Sequence, residues 1–246
     1  MNGGLVAIPA WPENPFSEPN GAGISKDSNQ LSGRWPFIPM AAGADVLVVA
    51  TRENTALVKV DTAGASLSVD FTQDGGHFGT LDLRNTVVDP LETSANEALE
   101  DAALATAAYL LGTMDRAFEI VLDYLKTRQQ FGRPIGSFQA LQHRAADLKI
   151  QIALTRASVE SAASICDSTA PNVVRRAAVS RAKARASDAA MQVTRQAIQL
   201  HGGIGYTDEH DIGLFLRSAM VRCNQYGSAA LHRSRYAKLA PDGDED

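Results

Sequence analysis

The chain has 246 residues, 45% of them hydrophobic and only 6% aromatic, with a net charge of −5. That length allows one large domain or two small ones, and that hydrophobic content allows a real core. The negative charge leaves no basic footprint for nucleic acid, so a nucleic-acid partner is not expected. Two cysteines, Cys166 and Cys223, are too few for a disulfide framework and fit a reducing compartment. The first residues, MNGGLVAIPAWPENPF, lack a basic stretch followed by a long apolar run. The weakly polar run at 102–112 is too short to span a bilayer, so a cytoplasmic protein without a membrane partner is expected.

Along the chain, the hydrophobic period changes near residue 92. Up to that point, prolines and glycines cut the sequence into short pieces. The β-branched runs at 45–51, 56–60 and 86–88 read as strands. Ala41-Ala-Gly-Ala44 and Asp74-Gly-Gly76 read as turns. Five to seven strands fit, which predicts a small, partial β domain over 1–92.

From residue 93 the period is helical, and no proline interrupts it until Pro134. The pattern predicts helices at about 95–127, 138–168, 172–200, 209–223 and 227–238. Thr93-Ser-Ala-Asn96 with Glu97 opens the first of these. Phe131-Gly-Arg-Pro134 ends it, and Asp167-Ser-Thr-Ala-Pro171 forms the next connection. His201-Gly-Gly-Ile-Gly205 stops the third helix with glycines that tolerate left-handed dihedrals. The expected fold class is therefore α+β, mainly α, with an antiparallel helical bundle over 93–240 and an acidic tail over 241–246. Arg175, Arg176, Arg181, Arg185 and Arg195 crowd the second half and read as a solvated helix face.

Two segments stand out, YLKTRQQFGRPIGSFQ at 124–139 and QAIQLHGGIGYTDE at 196–209. Each sets a polar side chain and a glycine-rich turn at a helix end. Free N–H groups and the helix dipole favour an anion there, and a nearby arginine can grip a pyrophosphate with its planar fork. An ordinary helix-to-helix turn has the same appearance. A lone Gly-Gly-x-Gly is also not a dinucleotide fingerprint, because no strand precedes it. The five histidines (His77, His143, His201, His210 and His232) lack metal-ligand spacing, so no metal site is expected. His201 reads equally as a cofactor contact and as a packed residue.

Taken together, the two segments resemble the paired signatures in the C-terminal domain of acyl-CoA dehydrogenases. Those are R-x-x-F-G followed by P-I-x-x-F-Q, then A-x-Q-x-x-G-G-x-G-Y-T. The resemblance runs from about 110 to 239. The β region resembles the family's middle domain more faintly, through Ser17-Glu-Pro19, the stretch LSGRWPFIP at 31–39 and Ala44-Asp45. The family's N-terminal helical domain, which the resemblance would place before this region, is expected to be missing. The resemblance implies an acyl-CoA dehydrogenase-like fold and FAD shared across a subunit interface. Arg128 and Gln130 are implied at the pyrophosphate, with Phe131 against the adenosine part. Gln199, Gly202 and Gly203 are implied to hold the same FAD.

The family's catalytic glutamate is not matched. Its common position falls on Tyr226, whose phenol is a poor base near neutral pH. Its alternative position, on the first helix, falls on Ala102, with Glu100 and Asp101 as neighbours turned to other faces. The family's W-I-T beside the flavin reads Phe37-Ile38-Pro39 here, and proline offers neither hydroxyl nor N–H. The T-E-P-x-A-G-S-D stretch departs as Asn20-Gly-Ala-Gly23.

The resemblance thus implies a non-catalytic subunit without a catalytic residue of its own. A partner chain would supply the glutamate in an α2β2 heterotetramer, with an acyl-CoA substrate, electron-transfer flavoprotein as acceptor, and steroid side-chain esters as the analogous substrate class. Two rival readings stand beside it. One is a flavin-dependent monooxygenase of the same fold, which SGRWPF at 32–37 also resembles. The other is a non-enzymatic scaffold that binds a dehydrogenase but no FAD.

Overall fold

A computed structural model describes residues 4–12, 28–51, 54–91, 93 and 95–240. The stretches Ser17-Glu-Pro19, Asn20-Gly-Ala-Gly23 and 241–246 lie outside these residues. The chain divides into two compact units, Met1–Leu99 and Glu100–Asp246. The division falls just inside the first helix, slightly beyond the change of period near residue 92.

The first unit is built from two sheets. Strands β1 (Ala7–Ala10), β3 (Val46–Ala50), β4 (Thr55–Lys59) and β7 (Asp89–Leu91) form one, in the order β1-β3-β4-β7. The β1/β3 pair is parallel and the others antiparallel. Strands β2 (Gln30–Pro39), β6 (His77–Val87) and β5 (Ala65–Phe71) form the second, antiparallel sheet. Leu31, Trp35 and Ile38 of β2, Leu47 and Val49 of β3, Val58 of β4 and Leu81 of β6 share one core. Trp35 spans that core: its ring is 1% exposed and its Nε1–H donates to the Ala50 carbonyl at 2.9 Å.

The sequence runs at 45–51 and 56–60 appear as β3 and β4. The run at 86–88 is only the end of the eleven-residue β6, whose glycine and polar residues hid its length. Strand β2 tolerates Pro36 because the ladder with β6 shifts register between Trp35 and Ile38. Phe37 sits in that bulge with a left-handed φ of 60°, which turns its ring outward, 62% exposed and edge-on to Phe78 at 6.2 Å.

The second unit is the helical bundle. Helices α1 (Asn96–Thr127), α2 (Gln139–Cys166), α3 (Asn172–His201), α4 (Ile212–Arg222) and α5 (Ala229–Leu239) follow the predicted spans closely. Leu110, Met114 and Val121 of α1, Leu148 and Ile152 of α2, Val193 of α3 and Ile212 of α4 belong to one core cluster. Helix α3 is buried along most of its length, and alanine makes that possible. Ala178, Ala182, Ala186, Ala189, Ala190 and Ala197 let neighbouring helices approach closely.

The expected solvated arginine face on α3 is present in part: Arg176, Arg181 and Arg195 are exposed, but four of the five arginines also bind neighbouring helices. Arg175 donates to the Cys166 carbonyl (2.8 Å), Arg181 to Ser161 (3.1 Å) and Arg185 to Gln151 Oε1 (2.6 Å), while Arg176 pairs with Glu100 (3.3 Å). These guanidiniums bind α3 to α2 and α1. Helical spacing alone cannot reveal acceptors that lie on other helices. Among the described residues, no helix is long and apolar enough to cross a membrane.

Candidate functional site

Helix α1 ends at Thr127, and the chain folds at once into a small hairpin. Strands β8 (Gln129–Gln130) and β9 (Arg133–Pro134) pair antiparallel. The two residues between them, Phe131 (φ 55°) and Gly132 (φ 78°), are both left-handed, the signature of a tight two-residue hairpin turn. The sequence reading saw a chain reversal here but not a ladder, because two-residue strands leave no period. The hairpin is rooted firmly. The Arg128 N–H donates to the Tyr124 carbonyl at 2.9 Å, and the Ile135 N–H to the Arg128 carbonyl at 2.8 Å. Gly136 follows, so close to α1 that a Cβ there would lie 2.8 Å from the Leu125 carbonyl oxygen.

On this hairpin Arg128, Gln130 and Phe131 are all exposed. Phe131 is 89% exposed, an unusual position for an aromatic ring with nothing to cover it. It meets Phe138 edge-on at 6.0 Å, and the Arg133 guanidinium lies 4.2 Å above the Phe138 ring. Among the described residues, Arg128 makes no ion pair and its side chain no hydrogen bond.

The second turn follows α3. Gly202 has φ 64° and ψ −142° and donates its N–H to the Gln199 carbonyl, closing the helix. Only glycine adopts that conformation readily. A 3-10 turn over Gly202–Tyr206 comes next. Its glycines have different reasons to be there. A Cβ on Gly205 would strike the Ile198 carbonyl oxygen at 2.6 Å, whereas a Cβ on Gly203 would meet nothing within 4 Å. Gly202 and Gly203 are exposed, as is Gln199, whose Oε1 accepts from the Tyr206 hydroxyl at 3.3 Å.

The six predicted residues thus stand in two groups of three, on two turns of one unit. Their donors suit a dinucleotide: a guanidinium without a carboxylate, two carboxamides, an uncovered aromatic ring, and a glycine turn with open space where a Cβ would stand. The residues present therefore fit FAD.

The candidate base positions are built differently. Tyr226 lies in the turn between α4 and α5, with φ 55°, and Gly227 follows with φ 102°. Burial pushes the Tyr226 phenol above its ordinary pKa, opposed by a side-chain hydrogen bond with Gln225. Its carbonyl is held by His232 Nε2 at 2.9 Å. Burial lowers the pKa of His232 to about 4, so this ring is neutral and its Nε2–H donates. Lys183 completes the anchoring. Fully buried on α3, it donates to Ser187 Oγ (3.1 Å), the Cys223 carbonyl (3.0 Å) and the Gly227 carbonyl (3.1 Å). Burial lowers its pKa to about 8. The sequence reading missed Lys183, because a lysine in an alanine-rich helix looks like a solvated one.

On α1, Ala102 offers only its carbonyl, which accepts from Thr106 Oγ1 at 2.8 Å. Asp101 is exposed. Glu100 is committed elsewhere. It accepts from both terminal nitrogens of Arg235, one at 2.9 Å, and pairs with Arg176 at 3.3 Å. Arg235 is 8% exposed and also donates to Ser180 Oγ at 2.9 Å. Both carboxylate oxygens of Glu100 are thus engaged by arginines of the bundle.

Residues 93–240 match the model of the acyl-CoA dehydrogenase C-terminal domain. The chain belongs to the acyl-CoA dehydrogenase family. It is 36% identical over 192 residues to acyl-CoA dehydrogenase IpdE2 of Mycolicibacterium smegmatis, covering 76% of this chain and 54% of that protein. The Mycobacterium tuberculosis protein of the same name is 42% identical over 135 residues, covering 55% of this chain and 38% of its own length. Among solved structures, a variant of the Tcur3481-Tcur3483 steroid ACAD superposes with a TM-score of 0.85 at 29% identity, over 95% of this chain and 66% of that one. The chain spans about half the length of the Mycolicibacterium relative. Family membership confirms the expected fold class and assigns FAD as the cofactor.

Proposed function

We propose that this chain is the non-catalytic subunit of a heteromeric FAD-dependent acyl-CoA dehydrogenase, α2β2 in assembly, that desaturates an acyl-CoA thioester. One observation carries the reading. The helical unit leaves a guanidinium, two carboxamides and an open glycine turn at the ends of α1 and α3, yet carries a tyrosine and an alanine, Tyr226 and Ala102, at the two base positions. Arg128 and Gln130 hold the pyrophosphate, Phe131 lies against the adenosine part, and Gln199, Gly202 and Gly203 contact the same FAD. Bound FAD supplies the hydride acceptor for the β-carbon of the thioester, and a partner subunit supplies the glutamate that removes the α-proton. Electron-transfer flavoprotein is the outlet for the electrons. The likeness to a steroid ACAD supports a steroid side-chain CoA ester as the substrate class.

Arg128 is the decisive residue. Its loss removes a charge-assisted contact of about 1.5–3 kcal/mol. The expected result is FAD content of the complex lowered by roughly ten- to a hundredfold at limiting flavin. The measurement is flavin absorbance of the chain alone, of the chain co-purified with a dehydrogenase-like partner that carries the glutamate, and of the same pair with Arg128→Ala. A colourless chain alone and about one FAD per pair of chains together support the reading. Stoichiometric FAD and acyl-CoA oxidation by this chain alone would sink it, as would an unchanged FAD content in the Arg128→Ala pair.

A further inference from the structure

Three aromatic rings cluster at the roots of the two cofactor turns. His201 is the last residue of α3 and is 2% exposed. Its ring centre lies 4.5 Å from that of Tyr124, with 28° between the planes, and 4.5 Å from that of His210. Tyr124 meets His210 edge-on at 6.4 Å. Each ring belongs to a different stretch of chain. Tyr124 sits in the last turns of α1, and its carbonyl takes the Arg128 N–H. His201 directly precedes Gly202. His210 Nδ1 accepts the Ile212 N–H at the start of α4, at 3.1 Å. Among the described residues, no side-chain hydrogen bond or ion pair joins the hairpin at 128–134 to the turn at 202–206. The ring cluster is therefore a direct contact between their roots, beside the common apolar core that holds Leu125 and Leu200.

The protonation state of His201 follows from its partners. Nδ1 lies 2.7 Å from the Ala197 carbonyl oxygen, which can only accept, so Nδ1 carries the hydrogen. Nε2 is then a bare lone pair, buried and without a hydrogen-bond partner among the described residues. A proton added there would place an unpaired charge among stacked rings, at a cost that burial makes severe. The titratable groups packed against the ring are Tyr124 from α1 and His210 from the segment before α4. Glu209 and Asp211 flank His210 in the chain, and neither pairs with it. Burial lowers the pKa of His201, opposed by the bond to Ala197 and reinforced by His210.

We propose that neutral His201, stacked on Tyr124 and in tilted contact with His210, is the positioning residue that sets the glycine turn against the Arg128 hairpin, and that protonating it loosens the hold on FAD. The proposal rests on the half-site reading above. Loss of ring contacts of this kind should lower affinity by up to about tenfold. His201→Phe keeps the stack but cannot take a proton. His201→Ala removes it.

The test is FAD retention by the co-purified complex, read by released flavin fluorescence between pH 8 and 5. Because burial lowers the pKa of His201, the wild-type complex is expected to hold FAD through the ordinary histidine range near 6.5 and to release it only at lower pH. His201→Phe should hold FAD at neutral pH and lose the acid-induced release. His201→Ala should hold about tenfold less FAD at pH 7.5. A wild-type pH profile in His201→Phe overturns the proposal, as does wild-type retention in His201→Ala. Arg128→Ala is run beside them. If it lowers FAD content while the His201 variants behave as wild type, the stack alone is refuted. If it leaves FAD content unchanged, the half-site reading falls and this proposal with it.

Discussion

The helical unit treats its polar groups in two opposite ways. At 128–134 and 199–206 the side chains of Arg128 and Gln130 are exposed, and the space where a Cβ would stand on Gly202 and Gly203 is open. At 223–228 three turn carbonyls are consumed internally: Lys183 takes those of Cys223 and Gly227, and His232 takes that of Tyr226. Such saturation fixes a loop but leaves it little to offer a substrate. The first region is built like a surface awaiting a ligand and the second like a scaffold. Under the proposed function, the first region serves the cofactor, and the region around Tyr226 serves the fold.

The strongest way to break this comparison is to attack the scaffold. Arg235→Ala strands Glu100 beside α3 with only Arg176. Breaking a buried pair by removing one partner costs about 3–5 kcal/mol. Urea unfolding of the complex should show that loss. Arg128→Ala, whose side chain has no partner among the described residues, should unfold within about 0.5 kcal/mol of wild type. Equal losses at the two sites would erase the distinction between scaffold and surface.

Next in size is the pH response of the scaffold. His232 has its pKa lowered by burial to about 4, against about 6.5 in the unfolded chain. The unfolded chain therefore binds the proton first as the pH falls. The stability this group contributes is complete above pH 6.5 and is lost progressively down to about pH 4, roughly 3 kcal/mol in all. His232→Gln keeps a donor for the Tyr226 carbonyl and should flatten that slope in acid denaturation. Lys183 acts at the alkaline side with the same sign. The folded chain releases its proton near pH 8, while the unfolded chain holds it to about 10.5. Stability should therefore rise between those values, and Lys183→Met should remove the rise.

What could be read from the sequence follows from how local each feature is. The five helices announce themselves by period and by Pro171, Gly202 and Gly227 at their ends. The cofactor turns were legible because Phe131-Gly132 and Gly202-Gly203 are local departures from that period. The scaffold was not. Arg235 and Glu100 are 135 positions apart, and Lys183 finds its carbonyls 40 and 44 positions away. No local pattern encodes such partners. In the first unit, β2 runs through Pro36 because a bulge absorbs it, a device that strand rules read as a break. The stack of Tyr124, His201 and His210 was hidden for the same reason as the ion pair, since each ring looks like isolated packing in its own segment.

The finest test lies within one turn. Gly203 and Gly205 are two residues apart, yet a Cβ would meet open space at the first and the Ile198 carbonyl oxygen at 2.6 Å at the second. Gly205→Ala should cost about 1–3 kcal/mol, since backbone must move to admit the methyl. Gly203→Ala should change stability by less than about 0.5 kcal/mol. If that glycine exists only to shape the turn, FAD content should not respond either. If it exists because the dinucleotide comes close to the backbone, the methyl occupies that space and FAD content falls while the melting temperature does not. The pair of measurements thus separates a glycine needed by the fold from one needed by the ligand, in the same five-residue turn. A loss of stability at Gly203 equal to that at Gly205 would mean that this turn, too, is scaffold.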